Sequence, residues 1–221
     1  MLARICAMLV AWLLVALPAH AERRVALVMG NGLYKSAVQL PNPPADAEAM
    51  AVMLSSMGFE VVVGTNLGRD AMTDKMSRFA QLAGGADVAL FFYAGHGFQL
   101  EGKNLLVPVD ADIKSELDAK VRTIEIDSVL HHTMSDAKVK LVLLDACRDN
   151  PFAKQIASTA PKTRNIVVGS GLAEMRPGEG TLIAFATGPG QVALDGEGKH
   201  SPFTARCWRT YPRPGWKSGT P

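Results

Sequence analysis

Short β-branched apolar runs alternate along this chain with longer stretches whose apolar residues recur at helical spacing, and that alternation narrows the fold to a few architectures. Residues 24–29 read as a buried strand ending at Gly30-Asn31-Gly32. Pro43-Pro44 opens a helix with Ala47, Met50, Ala51 and Leu54 on one face, stopped by Gly58. Residues 59–63 form a second strand. Asp70 is expected to cap a helix running through Met72, Met76, Phe79 and Leu82 and closed by Gly84-Gly85. Residues 87–93 make a third strand, apolar on both faces, and 98–108 resemble a hairpin turning at Glu101-Gly102-Lys103. A helix over 125–134, a fourth core strand over 139–145 and a late strand over 181–187 follow. Residues 151–165 are expected to be a mobile polar loop, 165–169 a brief extended piece, and Ser201-Pro202 a helix start. Strands alternating with helices imply an α/β fold, a mostly parallel central sheet with helices on both faces.

Ligands of such sheets sit beyond the carboxyl ends of the strands. That rule selects Gly30-Asn31-Gly32, Ala94-Gly95-His96-Gly97, Asp145-Ala146-Cys147-Arg148-Asp149 and the loop after Thr187. His96 follows a wholly apolar strand and lies between two glycines, which leave the backbone open to close approach. Cys147 follows a second apolar strand, with Asp145 before it and Arg148, Asp149 and Asn150 after it, surroundings unlike those of a core cysteine. A thiolate that attacks a carbonyl and an imidazole that protonates the leaving amine form a working pair. Arg148 is a neighbouring cation of the kind that lowers a thiol pKa, or else a solvated surface charge.

The rest of the chain fits this chemistry. Its 221 residues suffice for one sizeable domain. A net charge of +2 without a basic run argues against a nucleic-acid partner. Residues 1–21 carry Arg4, an apolar stretch from Ile5 to Leu17 and an Ala19-His20-Ala21 ending, the pattern of a signal peptide. The alternative is an uncleaved membrane anchor, although the stretch is shorter than the ~20 residues a span needs. An exported chain beginning near Glu22, periplasmic or secreted, is expected, with the catalytic domain over 22–205 and no later span. Cys6 leaves with the signal, so Cys147 and Cys207 remain, either as a reactive thiol and a bystander or as a disulfide.

Tyr93-Ala94-Gly95-His96-Gly97 and Leu144-Asp145-Ala146-Cys147-Arg148-Asp149-Asn150-Pro151 resemble the two active-site motifs of bacterial caspase-like cysteine peptidases, related to metacaspases and paracaspases. Cys147 lies 51 positions after His96, near the roughly 50 long known between these residues in caspases. Val28-Met29-Gly30-Asn31 with Tyr34, Asp46-Ala47-Glu48-Ala49-Met50, and 180–187 through 193–196 extend the likeness over about 24–204. The resemblance implies a caspase-like three-layer sandwich and a peptidase acting through His96 and Cys147. It implies an oxyanion hole from the backbone N–H groups of Gly97 and Cys147. It also implies a pocket for Arg or Lys at P1 (the residue before the scissile bond) lined by Asp46 and Asp145. Aspartate specificity would need an arginine before the first helix, and residues 36–44 hold none. A helix N-cap is the plainer role for Asp46.

Other functions fit less well. Gly30-Asn31-Gly32 fails as a dinucleotide fingerprint because Lys35 stands at its sixth position. His131-His132 with His96 or His200 lack metal-ligand spacing, so no metal is expected. The likeness to metacaspases, some of which bind calcium, implies calcium stimulation through Asp110 and Asp112 as an exception, with a solvated loop as the plainer role of these residues. A thiol hydrolase or transpeptidase acting on another amide, and a catalytically impaired binding module or pseudoenzyme, are the alternatives to an endopeptidase. Residues 206–221 form an atypical tail in which Pro212 and Pro214 interrupt the helix that the family has. A shifted reading frame near Ala205 is expected, because the alternative frame can spell an amphipathic helix.

Overall fold

The computed structural model describes residues 22–147, 150–159, 168–169, 171–188 and 198–210. Residues 1–21, expected to be a signal peptide, and residues 211–221 therefore lie outside the described residues. Among those described, no helix is long and apolar enough to cross a membrane.

Five strands form a parallel centre: β1 (Arg24–Gly30), β2 (Phe59–Thr65), β3 (Val88–Leu100), β6 (Val139–Cys147) and β8 (Thr181–Phe185), in the spatial order β2-β1-β3-β6-β8. Three shorter strands, β4 (Lys103–Leu106), β5 (Ile124–Glu125) and β7 (Val168–Gly169), add antiparallel pairings around the far half of β3. The helices are α1 (Pro43–Ser56), α2 (Arg69–Ala83), α3 (Glu116–Arg122), α4 (Ile126–Thr133), α5 (Ala153–Thr159) and α6 (Pro202–Thr210).

The period-two alternation of the strands sorts the core into layers. Val25, Leu27 and Met29 point with Phe91 and Tyr93 to one face, against Met72 and Phe79 of α2 and Val129 of α4. Ala26, Val28, Leu90 and Phe92 point to the other, against Ala47, Met50 and Leu54 of α1 and Phe203 and Cys207 of α6. Both faces are thus covered, giving the expected caspase-like sandwich. A third cluster, with Phe98, Leu100, Leu105, Phe152 and Ile156, packs under the hairpin and also holds Tyr34 and Leu40.

Four local expectations need correction. Asp70 does not cap α2. The cap position is Gly68, which has no side chain, and Asp110 supplies the carboxylate instead, accepting from Arg69 N at 3.0 Å. A Cβ on Gly68 would lie 2.4 Å from Asp110 Oδ2, so the glycine makes room for its substitute cap. Asp110→Ala is expected to cost about 1 kcal/mol, the usual worth of an N-cap, read as a lower urea midpoint. Asp46 does not cap α1 either: Asn42 holds the cap position, and Asp46 sits in the first turn.

The polar stretch expected to be a loop contains α5, because Phe152 and Ile156, one turn apart, both bury against the third cluster. The hairpin forms where expected, its first strand being the far end of β3, which pairs antiparallel with β4. β3 runs unbroken from Val88 to Leu100. Finally, α6 continues past Ala205 to Thr210, with Phe203 and Cys207 facing the sheet. The first residues of the atypical tail are thus helical, while Pro212 and Pro214 lie outside the described residues.

Candidate active site

β3 departs from regular pairing at the end of its apolar run. Ala94 pairs with Asp145 and Gly97 with Cys147, so Gly95 and His96 together stand against Ala146 alone. A one-residue bulge of this kind bends the strand and re-aims a side chain. Gly95 takes φ +149°, and a Cβ there would lie 2.6 Å from Tyr34 Oη and 2.8 Å from Tyr93 Oη.

The re-aimed residue is His96, only 4% exposed. Its Nε2 lies 2.8 Å from the carbonyl oxygen of Val38. A carbonyl can only accept, so Nε2 carries the proton, and Nδ1 is the basic nitrogen of the neutral ring. Buried Tyr34 and Leu40 flank Val38, and the Leu40 N–H donates to Gly32 O at 2.9 Å, which fixes the loop that presents this carbonyl. The Tyr34 ring packs on the imidazole with centroids 4.5 Å apart, and its hydroxyl accepts from His96 N at 2.7 Å. Tyr93 Oη in turn reaches the carbonyls of His96 (3.0 Å) and Val107 (3.1 Å). Burial pushes the Tyr93 phenol well above its ordinary pKa, so it remains a donor.

Sequence reasoning missed these supports. Val38 contributes only backbone, and backbone roles leave no compositional trace. Asn31 left a fainter signal, an amide after a strand and between glycines. Buried, it donates through Nδ2 to Val107 O (3.1 Å) and accepts at Oδ1 from Leu67 N (2.8 Å), while its own N–H donates to Ala94 O at 2.9 Å. It thereby ties three chain segments together beside the bulge. Tyr34→Phe retains the ring but strands the buried His96 N–H. A loss of about 1–3 kcal/mol in urea unfolding is expected.

Cys147 is the last residue of β6, and its Cα is registered against Gly97, the neighbour of His96. The thiol itself, with Arg148 and Asp149, lies outside the described residues. The backbone at this point is tight: a Cβ on Gly97 would come within 3.1 Å of Ala146 O.

Asp46 and Asp145, far apart in sequence, converge on the start of α6. Ser201 N donates to both Asp46 oxygens at 3.2 and 3.3 Å, and Ser201 Oγ donates to Asp145 Oδ2. The same hydroxyl accepts from Thr204 N at 3.0 Å, as an N-cap does. His200 Nδ1 is 3.0 Å from Asp46 Oδ1. Asp46 is 0% and Asp145 1% exposed, so both carboxylates are enclosed in this state. The positive N-terminal end of α6 faces both carboxyl groups, a favourable place for acidic side chains.

The remaining candidates are placed elsewhere. Asp110 caps α2, and Asp112 pairs with Lys114 Nζ at 2.6 Å. His131 and His132 stack on each other at the end of α4. Among the described residues, no three His, Cys, Asp or Glu side chains gather into a metal-binding group. Cys207 carries a thiol, not a disulfide; burial first, then the Asp145 charge, raises its pKa, which leaves little thiolate.

A parallel sheet layered between helices, with His96 at a bulge and Cys147 on the adjoining strand end, defines a caspase-like α/β protein. The chain belongs to the caspase domain family, whose sequence model matches residues 23–215. Members of this family are cysteine peptidases. It is 28% identical over 152 residues to human mucosa-associated lymphoid tissue lymphoma translocation protein 1, covering 67% of this chain and 18% of that protein. The mouse homologue matches to the same extent. The chain thus spans less than a fifth of these relatives' length. A solved structure from Geobacter sulfurreducens superposes with TM-score 0.61 at 17% identity, covering 86% of this chain and 81% of that one. The Drosophila initiator caspase Dronc gives 0.52 at 13% identity, covering 85% and 63%. These structural likenesses bear on the fold alone.

Proposed function

We propose that this protein is an exported cysteine endopeptidase, acting in the periplasm or outside the cell, that cleaves after Arg or Lys through Cys147 and His96. The observation that carries the reading is the register of Gly97 against Cys147 beside the bulged His96. It brings an imidazole and a thiol residue to one edge of two neighbouring parallel strands.

The tautomer gives each atom a task. Nε2 is committed to Val38 O, so Nδ1 takes the Cys147 proton. The thiolate attacks the scissile carbonyl carbon and forms a C–S bond. Nδ1–H then passes its proton to the departing amine as the C–N bond breaks. Water, deprotonated by Nδ1, hydrolyses the thioester and restores the thiol. Paired strands lie about 4.8 Å apart, so the N–H groups of Gly97 and Cys147 are close enough to share one oxyanion. Such donors typically contribute about 3–4 kcal/mol each.

Asp46 and Asp145 are the acidic groups for a basic P1 side chain. The reading requires no cofactor, and a protein or peptide is the substrate. Turnover of peptides with Arg, Lys or Asp at P1 tests it. Cleavage after Arg and Lys by the native protein supports it, and preference for Asp, or no cleavage at all, overturns it.

One observation favours a second reading, a catalytically impaired binding module. Ser201 and His200 already engage the two carboxylates that a substrate would need. Silence of the native protein on every peptide selects that reading.

A further inference from the structure

We propose that His200 is the built-in occupant of the acidic pocket and competes with the substrate's P1 side chain for Asp46. The inference rests on the reading above that Asp46 and Asp145 receive a basic residue. The two carboxylates are not equally guarded. Asp145 is held by the Ser201 hydroxyl, and Ser201 is itself fully buried and fixed by Thr204 N. Asp46 is held from one side by the Ser201 N–H and from another by the His200 imidazole at 3.0 Å. Asp46, Asp145, Ser201 and Thr204 are all buried, whereas the His200 side chain is 31% exposed. A cation arriving from solvent therefore meets the imidazole before it meets a carboxylate.

The chemistry of exchange is favourable. The imidazole presents a planar N–H to Asp46 Oδ1, much as one arm of a guanidinium does. An arriving guanidinium brings a permanent charge and a planar fork of donors, where the imidazole offers Asp46 a single N–H. Rotation of the His200 side chain opens one acceptor position on Asp46 Oδ1 while the Ser201 bonds to both carboxylates persist. The pocket's shape thus survives the exchange, and only one side chain moves. His200 sets the threshold that a basic P1 residue must exceed, and it covers the solvent side of Asp46 Oδ1 between turnovers. Without it, basic ligands bind without displacing anything.

His200→Ala and His200→Asn test this in the full chain, the latter retaining a side-chain donor for Asp46. The readouts are KM for a peptide with Arg at P1, and the Kd of benzamidine in a Cys147→Ala background by titration calorimetry. For His200→Ala, both are expected to fall about 3- to 10-fold, the size of a modest lost competitor. His200→Asn is expected to lie between it and the parent. Benzamidine is also expected to shift the His200 ring 15N resonances in the otherwise native protein. If the native protein cleaves after Arg, yet KM and Kd are unchanged or higher in both variants, the occupant role is overturned while the P1 reading stands. If no form binds benzamidine or cleaves after Arg, both fall together.

Discussion

Cys147→Ala is expected to keep the fold and to lower kcat/KM on an Arg-P1 peptide by about 10⁴-fold or more. The substitution removes one sulfur atom at the carboxyl end of β6 and leaves the backbone registered against Gly97 unchanged. Urea unfolding is therefore expected to change little. Cys207 is not expected to substitute, because it sits on α6 with its thiol pKa raised by burial and by Asp145. His96→Ala is expected to cost a comparable factor, since a thiol without Nδ1 has neither an acceptor for its proton nor a donor for the leaving amine. The double variant is expected to be hardly slower than either single one, because residues acting as a unit do not add. Factors that multiply in the double variant would show that His96 and Cys147 work independently, and the dyad would be abandoned.

The layer plan was legible because it is written in periodicity. Met72, Met76 and Phe79 repeat at helical spacing, and Val25, Leu27 and Met29 alternate along a strand; both patterns survive as packed faces. The position of His96 and Cys147 was legible for the same reason, since each follows an apolar run at the carboxyl edge. What escaped is what depends on contacts distant in sequence. The α2 cap comes from Asp110, forty-one residues away. α5 forms because the third cluster accepts Phe152 and Ile156, although the stretch is polar by composition. The helical turns beyond Ala205 hold because Cys207 lies one turn after Phe203 on the buried face. Asp46 shows both sides. Its place near Asp145 followed from the family likeness, whereas its bonds to Ser201 and His200 arise only when α6 docks.

Gly95→Ala is expected to remove about 3–5 kcal/mol of stability, a large share of the roughly 5–15 kcal/mol typical of a domain. Two costs combine. At φ +149° an L side chain is strained by about 1–3 kcal/mol. The added Cβ would also stand 2.6 Å from Tyr34 Oη, 2.8 Å from Tyr93 Oη and 3.0 Å from Asn31 O, an overlap that typically costs about 1–3 kcal/mol. Neither neighbour yields easily. Tyr34 Oη holds His96 N, and Tyr93 Oη holds the carbonyls of His96 and Val107. Any relief therefore moves the imidazole, and the fraction of Gly95→Ala that remains folded is expected to be slower as well as less stable. Gly102→Ala separates the two costs. Gly102 has φ +80° but nothing within 4 Å of a Cβ, so only backbone strain is expected, near 1 kcal/mol. Equal urea midpoints for the two variants would mean that the tyrosine hydroxyls do not brace the bulge. His96 would then owe its position to the Val38 carbonyl alone, and Tyr34→Phe would leave turnover intact.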